Sequence, residues 1–215
     1  MKFTPLFSLI LALGGCGDEP GDDTGSTTET DTDTDTDSDT DTDTDTDTDT
    51  DTDTDTDVDL TVTETTVDAT SYDTWVYLDL DTLSVVEPSD PSDSTEWDIG
   101  FLRSTVIVNG GVSGTGGVEV APFEGYYDEF ETNTQAPPHG WITDEADADG
   151  DDVPEYAMGG WYDYDSTTHT LSPADVLYFV HGTGGGYFRL RFLDYYDGQG
   201  TSGMVSFESS AVEGY

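Results

Sequence analysis

Positive charge is what this sequence has least of. Its 215 residues hold 4 lysines and arginines against 49 aspartates and glutamates, a formal net charge of −45. Nucleic acid and anionic lipid would be repelled by such a chain, which argues against either as a direct partner. One cysteine leaves no material for a disulfide framework or a thiolate zinc cluster. The only lysine is Lys2, so there is no phosphate-cradling G-x-x-x-x-G-K-[ST] loop. No apolar run reaches the roughly 18 residues that an ordinary membrane-spanning helix needs.

What is present is unevenly distributed. The chain opens MKFTPLFSLILALGGC, a charged start at Lys2, an apolar stretch from Phe3 to Leu13, and small residues before Cys16. This is the anatomy of a secretory leader, residues 1–15, and it is too short to span a bilayer. Leu13-Gly14-Gly15-Cys16 looks like a bacterial lipobox, whose cysteine carries the lipid after cleavage. The sole cysteine of the chain is therefore expected to be a lipid attachment point that tethers the protein to a membrane. Gly17 after it is compatible with passage to the outer membrane, and the expected location is the surface-exposed cell envelope.

Residues 16–66 read as a disordered spacer. Asp31 to Asp57 alternates aspartate with threonine, interrupted only by Ser38. Alternation would suit a strand, but neither face is apolar and one would be a ladder of like charges. Such a segment cannot offset its ordering entropy by burial, and self-repulsion should extend it.

Residues 67–215 are long enough for one hydrophobic core. Short aromatic and β-branched runs recur between Gly, Asp, Ser and Pro, which predicts an all-β, antiparallel domain. Thr74 to Leu80 alternates, with Trp75 and Tyr77 on one face and Val76, Leu78 and Leu80 on the other. Trp97 to Asn109 reads as two strands or one bent strand. Val176–Val180 and Tyr187–Leu193 flank His-Gly-Thr-Gly-Gly-Gly, a hairpin loop. A last strand starts near Met204, and one short helix is expected near Phe130.

Catalytic patterns are missing or broken. Gly111-Val-Ser113-Gly-Thr115 fails the nucleophile-elbow pattern at its last position. His139, His169 and His181 have no metal-ligand spacing, and no carboxylate pair is singled out by spacing. A non-enzyme is expected. One segment does resemble a cation loop: Glu145-Ala-Asp147-Ala-Asp149-Gly150-Asp151-Asp152 sets acids at alternate positions around a glycine. Position 12 of an EF-hand would fall on Tyr156, with Glu155 one residue early, so a short calcium turn using Asp147, Asp149 and Asp151 is the better description.

Five ordered stretches carry a family resemblance. They are Tyr72-Asp-Thr-Trp75-Val-Tyr77; Trp97-Asp98-Ile-Gly-Phe-Leu-Arg103 leading to Asn109-Gly-Gly-Val-Ser-Gly-Thr-Gly-Gly117; Gly159-Gly160-Trp161-Tyr162; Leu177–Val180 followed by Gly182; and Leu193-Asp-Tyr195-Tyr196-Asp197 before Met204-Val-Ser-Phe207. Together they resemble the HmuY family of bacterial haem-binding lipoproteins. The resemblance implies an all-β lipoprotein domain that takes up haem without catalysis and passes it to an outer-membrane receptor. Members hold the iron between two histidines or two methionines. One such histidine falls here on Ser166, with His169 three residues later in the same loop. The segment before Gly159 offers Met158 as its soft ligand, and thioether plus imidazole is sound axial chemistry. Met158 and His169 are thus the axial pair the resemblance suggests, and Arg189 and Arg191, on one strand face, could meet propionates, although with so many acids nearby salt bridging is the stronger expectation for them. The alternative is a haem-independent, calcium-stabilised surface or adhesion module.

Overall fold

The computed structural model describes residues 58–147 and 149–215. The expected leader, Cys16 and the Asp-Thr repeat through Asp57 lie outside them.

The described residues form eleven strands joined by turns: β1 (Thr63–Asp68), β2 (Val76–Asp79), β3 (Ser84–Val86), β4 (Ile99–Leu102), β5 (Thr105–Val108), β6 (Glu119–Glu124), β7 (Tyr162–Asp165), β8 (Thr170–Pro173), β9 (Val176–His181), β10 (Tyr187–Tyr196) and β11 (Ser202–Val212). They pair antiparallel as a five-stranded sheet in the order β1-β11-β10-β9-β6, a four-stranded sheet β3-β2-β4-β5, and a separate β7-β8 hairpin. Two 3₁₀ turns, Pro91–Asp93 and Tyr127–Thr132, complete the regular structure, the second carrying Phe130 as expected. No helix among the described residues is long and apolar enough to cross a membrane.

The two larger sheets close over one core. Leu78, Ile99, Phe101, Val106 and Val108 from the four-stranded sheet meet Val120, Tyr178, Leu190, Phe192, Val205 and Phe207 from the five-stranded sheet. Phe101 and Phe207 stack across the gap, with centroids 6.0 Å apart and planes 9° apart. The uninterrupted apolar run of β9 has a plain cause: the strand is covered on both faces. Val176, Tyr178 and Val180 enter the main core. Leu177 and Phe179 enter a second cluster with Ala121, Phe130, Ala136 and Val212, under the Tyr127–Thr132 turn. A strand buried on both sides loses the polar alternation that a half-exposed strand shows.

The expected strands are present with shifted ends. The Thr74–Leu80 segment narrows to β2, with Leu78 and Leu80 buried and Tyr77 on the opposite face against Trp97, at 4.7 Å. Trp97 to Asn109 contains two strands rather than one bent strand, turning at Arg103 with φ 55°. β1 begins at Thr63, ahead of the Val67 start read from the sequence. Its polar residues are drawn into the sheet by backbone pairing, Thr63 opposite Ser209 through Asp68 opposite Met204, while Val67 alone in the strand is fully buried.

Two buried carboxylates tie loops to the sheets. Asp98, fully buried, accepts Leu80 N–H (2.8 Å) and Thr183 N–H (2.7 Å), joining the end of β2 to the β9–β10 loop. Asp144 accepts Val108 N–H (2.9 Å) and Ala157 N–H (2.8 Å). The glycine-rich Gly110–Gly117 segment is a packing device around the buried Asn109. Asn109 donates to the Ser94 and Trp97 carbonyls and accepts Gly116 N–H, and a Cβ on Gly114 would collide with its side-chain oxygen.

Candidate functional site

The β7–β8 hairpin presents His169. Asp165 closes the turn by accepting Thr167 N–H at 2.7 Å, while His169 N–H returns to the Asp165 carbonyl at 2.8 Å. That leaves His169 exposed with a left-handed backbone, φ 58°. The Tyr164 hydroxyl lies 2.6 Å from His169 Nδ1. In the tautomer whose Nδ1–H donates to the Tyr164 oxygen, Nε2 keeps a free lone pair, which is the arrangement that metal-binding histidines use.

Met158 occupies a different environment. It has no exposed surface and belongs to the main core beside Trp161, whose ring lies tilted against Phe192 with centroids 4.5 Å apart and whose indole N–H donates to the Ser104 carbonyl. The thioether is packed rather than presented.

The acidic loop does converge. Asp147, Asp149, Asp151 and Glu155 each bring a carboxylate oxygen to within 4.8 Å of all the others. Gly150 turns the chain with φ 87°, and Asp147 accepts Gly150 N–H (2.7 Å) and Asp151 N–H (2.8 Å). Glu155 joins because its backbone pairs with Glu145 across the loop's base. Linear spacing does not show that return.

Arg189 and Arg191 are committed elsewhere. Arg189, 2% exposed, donates to the Phe130 and Asn133 carbonyls and lies over the Phe130 ring. Arg191 pairs with Glu208 at 2.7 Å and donates to the Tyr127 carbonyl. Both pin the 3₁₀ turn onto β10 rather than waiting for a propionate. Arg103 likewise donates to the Thr70 and Ser202 carbonyls.

A second histidine environment was not legible in the sequence. His181, half-buried at the end of β9, lies flat on Tyr187, with centroids 4.5 Å and planes 13° apart. Trp141 meets both rings, and Tyr215 adds a fourth. Cross-strand register places Glu119 on one side of His181 and Tyr187 on the other. His139 is exposed in the preceding loop.

Residues 71–208 match the family model described as HmuY protein. The chain belongs to the HmuY family. No curated protein matches it in sequence. Solved structures share the fold. An apo HmuY analog from Tannerella forsythia aligns at TM-score 0.55 and 17% identity, covering 73% of this chain and 98% of that one. A HmuY-like protein from Bacteroides vulgatus, described as heme-binding, aligns at 0.50 and 19%, covering 70% and 92%. A Bacteroides fragilis chain described as a lipoprotein aligns at 0.50 and 19%, covering 70% and 91%.

Within this HmuY domain the residues singled out from the sequence fall in three places. Met158 is in the core, His169 is at an exposed hairpin turn, and Asp147, Asp149 and Asp151 form one acidic loop. Only the aspartates are brought together.

Proposed function

We propose that this chain is a non-catalytic haem- or porphyrin-binding lipoprotein of the cell envelope, with His169 as an axial ligand. The observation that carries the reading is the oriented, exposed His169 imidazole, held by Tyr164 on a HmuY-family fold. Haem supplies an iron that accepts a neutral imidazole nitrogen. Met158 as the second ligand requires the turn between Tyr156 and Gly160 to open, since its thioether is buried. Cys16 would carry the lipid, the acidic spacer would hold the domain off the outer membrane, and a receptor there would take the haem onward.

The test is a haemin titration of residues 17–215 followed at the Soret band. A saturable one-to-one shift weakened by His169→Ala, and altered in spectrum by the volume-conserving Met158→Leu, is expected. No saturable shift in either redox state overturns the reading. Saturation that survives His169→Ala but not His181→Ala moves the ligand to the aromatic cluster. Cys16→Ser should release the protein from the membrane fraction.

A second reading is favoured by the four converging carboxylates: a haem-independent surface module that calcium stabilises through Asp147, Asp149, Asp151 and Glu155. An ion bound only by the folded chain must raise its melting temperature. No rise at millimolar calcium, relative to chelator, sinks this reading.

A further inference from the structure

A cleft of about 430 Å³ opens where β10 starts and β11 ends. Tyr187, Phe188, Ala211 and Val212 form its walls, glycines of the β9–β10 loop form part of its rim, and Asp81 is its one charged lining residue. The Asp81 carboxylate is seated against that loop. A Cβ on Gly184 would come within 2.5 Å of its Oδ2, so the loop's glycine leaves the space the carboxylate fills.

No hydrogen-bond donor or base partners this carboxylate among the described residues. The arginines that could do so are bound elsewhere, Arg103 to the Thr70 and Ser202 carbonyls, Arg189 to Phe130 and Asn133, and Arg191 to Glu208. The local field is made more negative by Asp79 and by the buried Asp98, which Leu80 and Thr183 N–H lock in place. A carboxylate without a counter-charge at the mouth of an apolar cleft discriminates by sign. It repels anions, offers a neutral molecule little, and rewards a positive group carried on an apolar body. The side chains of Tyr187 and Phe188 line the cleft and offer apolar surface to its hydrocarbon part. The volume is at the small end of the range for small-molecule sites.

We propose that this cleft binds a small organic cation, an ammonium or guanidinium group on an apolar body, with Asp81 as its counter-ion. The assignment is independent of haem: it uses neither His169 nor Met158.

The probe is 2-phenylethylamine, titrated into residues 17–215 while backbone amide shifts are followed by NMR. Saturable shifts confined to Gly184–Phe188 and Ala211–Gly214 are expected. The neutral isostere 2-phenylethanol and the Asp81→Asn variant should each weaken binding by about tenfold or more, and Asp81→Glu should keep it. Asp81 is exposed, so both variants should fold, which an unchanged thermal midpoint verifies. Equal binding of the alcohol, or binding unchanged in Asp81→Asn, overturns the proposal. So does the absence of saturation at millimolar probe, or calcium chloride alone producing the same shifts, which would make the site a simple metal site.

Discussion

Asp144 Oδ1 accepts the Ala157 backbone N–H at 2.8 Å from a position only 1% exposed. The bond joins the segment that carries Met158 to the β5 edge of the four-stranded sheet, because Oδ2 of the same carboxylate accepts Val108 N–H at 2.9 Å. One side chain thus holds together a strand end and a loop that share no ladder.

Removing that carboxylate strands two buried donors. Asp144→Ala should lower stability by roughly 2–4 kcal/mol, since each unsatisfied buried group costs about 1–3 kcal/mol. Urea unfolding measures it, and a loss below about 0.5 kcal/mol would show that water replaces the carboxylate freely.

The pH profile should have a defined shape. Burial pushes the Asp144 carboxyl above its ordinary value of 3.8, so the folded chain holds that proton more tightly than the unfolded one. Its contribution therefore falls as pH rises from the ordinary value through the raised one. Self-repulsion among the many ionised acids acts in the same direction. Asp165 and Asp197 oppose it at the acid end. Hydrogen bonds from Thr167 and Thr201 N–H depress their carboxyls, and the stability this confers is lost as pH falls through the lowered values. The urea midpoint should peak in mild acid and decline toward neutrality, with Asp144→Asn flattening the decline. A midpoint that rises steadily to pH 8 contradicts this account.

Arg189 should matter more than Arg191. Arg189→Ala removes the donors for the Phe130 and Asn133 carbonyls and uncovers the second core cluster, a loss of about 2–4 kcal/mol. Arg191→Ala breaks a partly exposed pair with Glu208 and should cost about 1 kcal/mol or less. Hydrogen exchange across the Tyr127–Thr132 turn should accelerate more in the first variant. The reverse ranking would mean that the turn is held by the ion pair instead.

His169 sits at a backbone angle that glycine adopts at no steric cost. His169→Gly should leave stability within about 0.5 kcal/mol of the parent, the relief of φ offsetting the lost Tyr164 contact. A thermal midpoint that drops by many degrees would show that the imidazole is a structural element, and would weaken its assignment as a ligand held in reserve.

Much of the fold was legible because strand signals are local. The hairpin between β9 and β10 follows from apolar runs flanking a glycine loop, and the Phe130 turn from an aromatic set among polar residues. The start of β1 was not legible. Thr63 to Thr66 carry no apolar residue, and only pairing with β11 makes a strand of them. The candidate site divides the same way. Asp147, Asp149 and Asp151 announce themselves by spacing, whereas Glu155 joins them through a bridge that closes the loop. The resemblance pointed to Met158 and His169 by position alone, and position carries no information on burial.

The sequence by itself determined an acidic, β-rich domain of the HmuY family, because composition and period-two patterning act residue by residue. Tertiary structure decided the rest. It buried Met158, exposed His169, and spent Arg189 and Arg191 on backbone carbonyls. It also laid His181 on Tyr187 and left Asp81 facing an apolar cleft. Each of those outcomes depends on which strands become neighbours, and that is set by the packing of two sheets around a shared core rather than by any local run of residues.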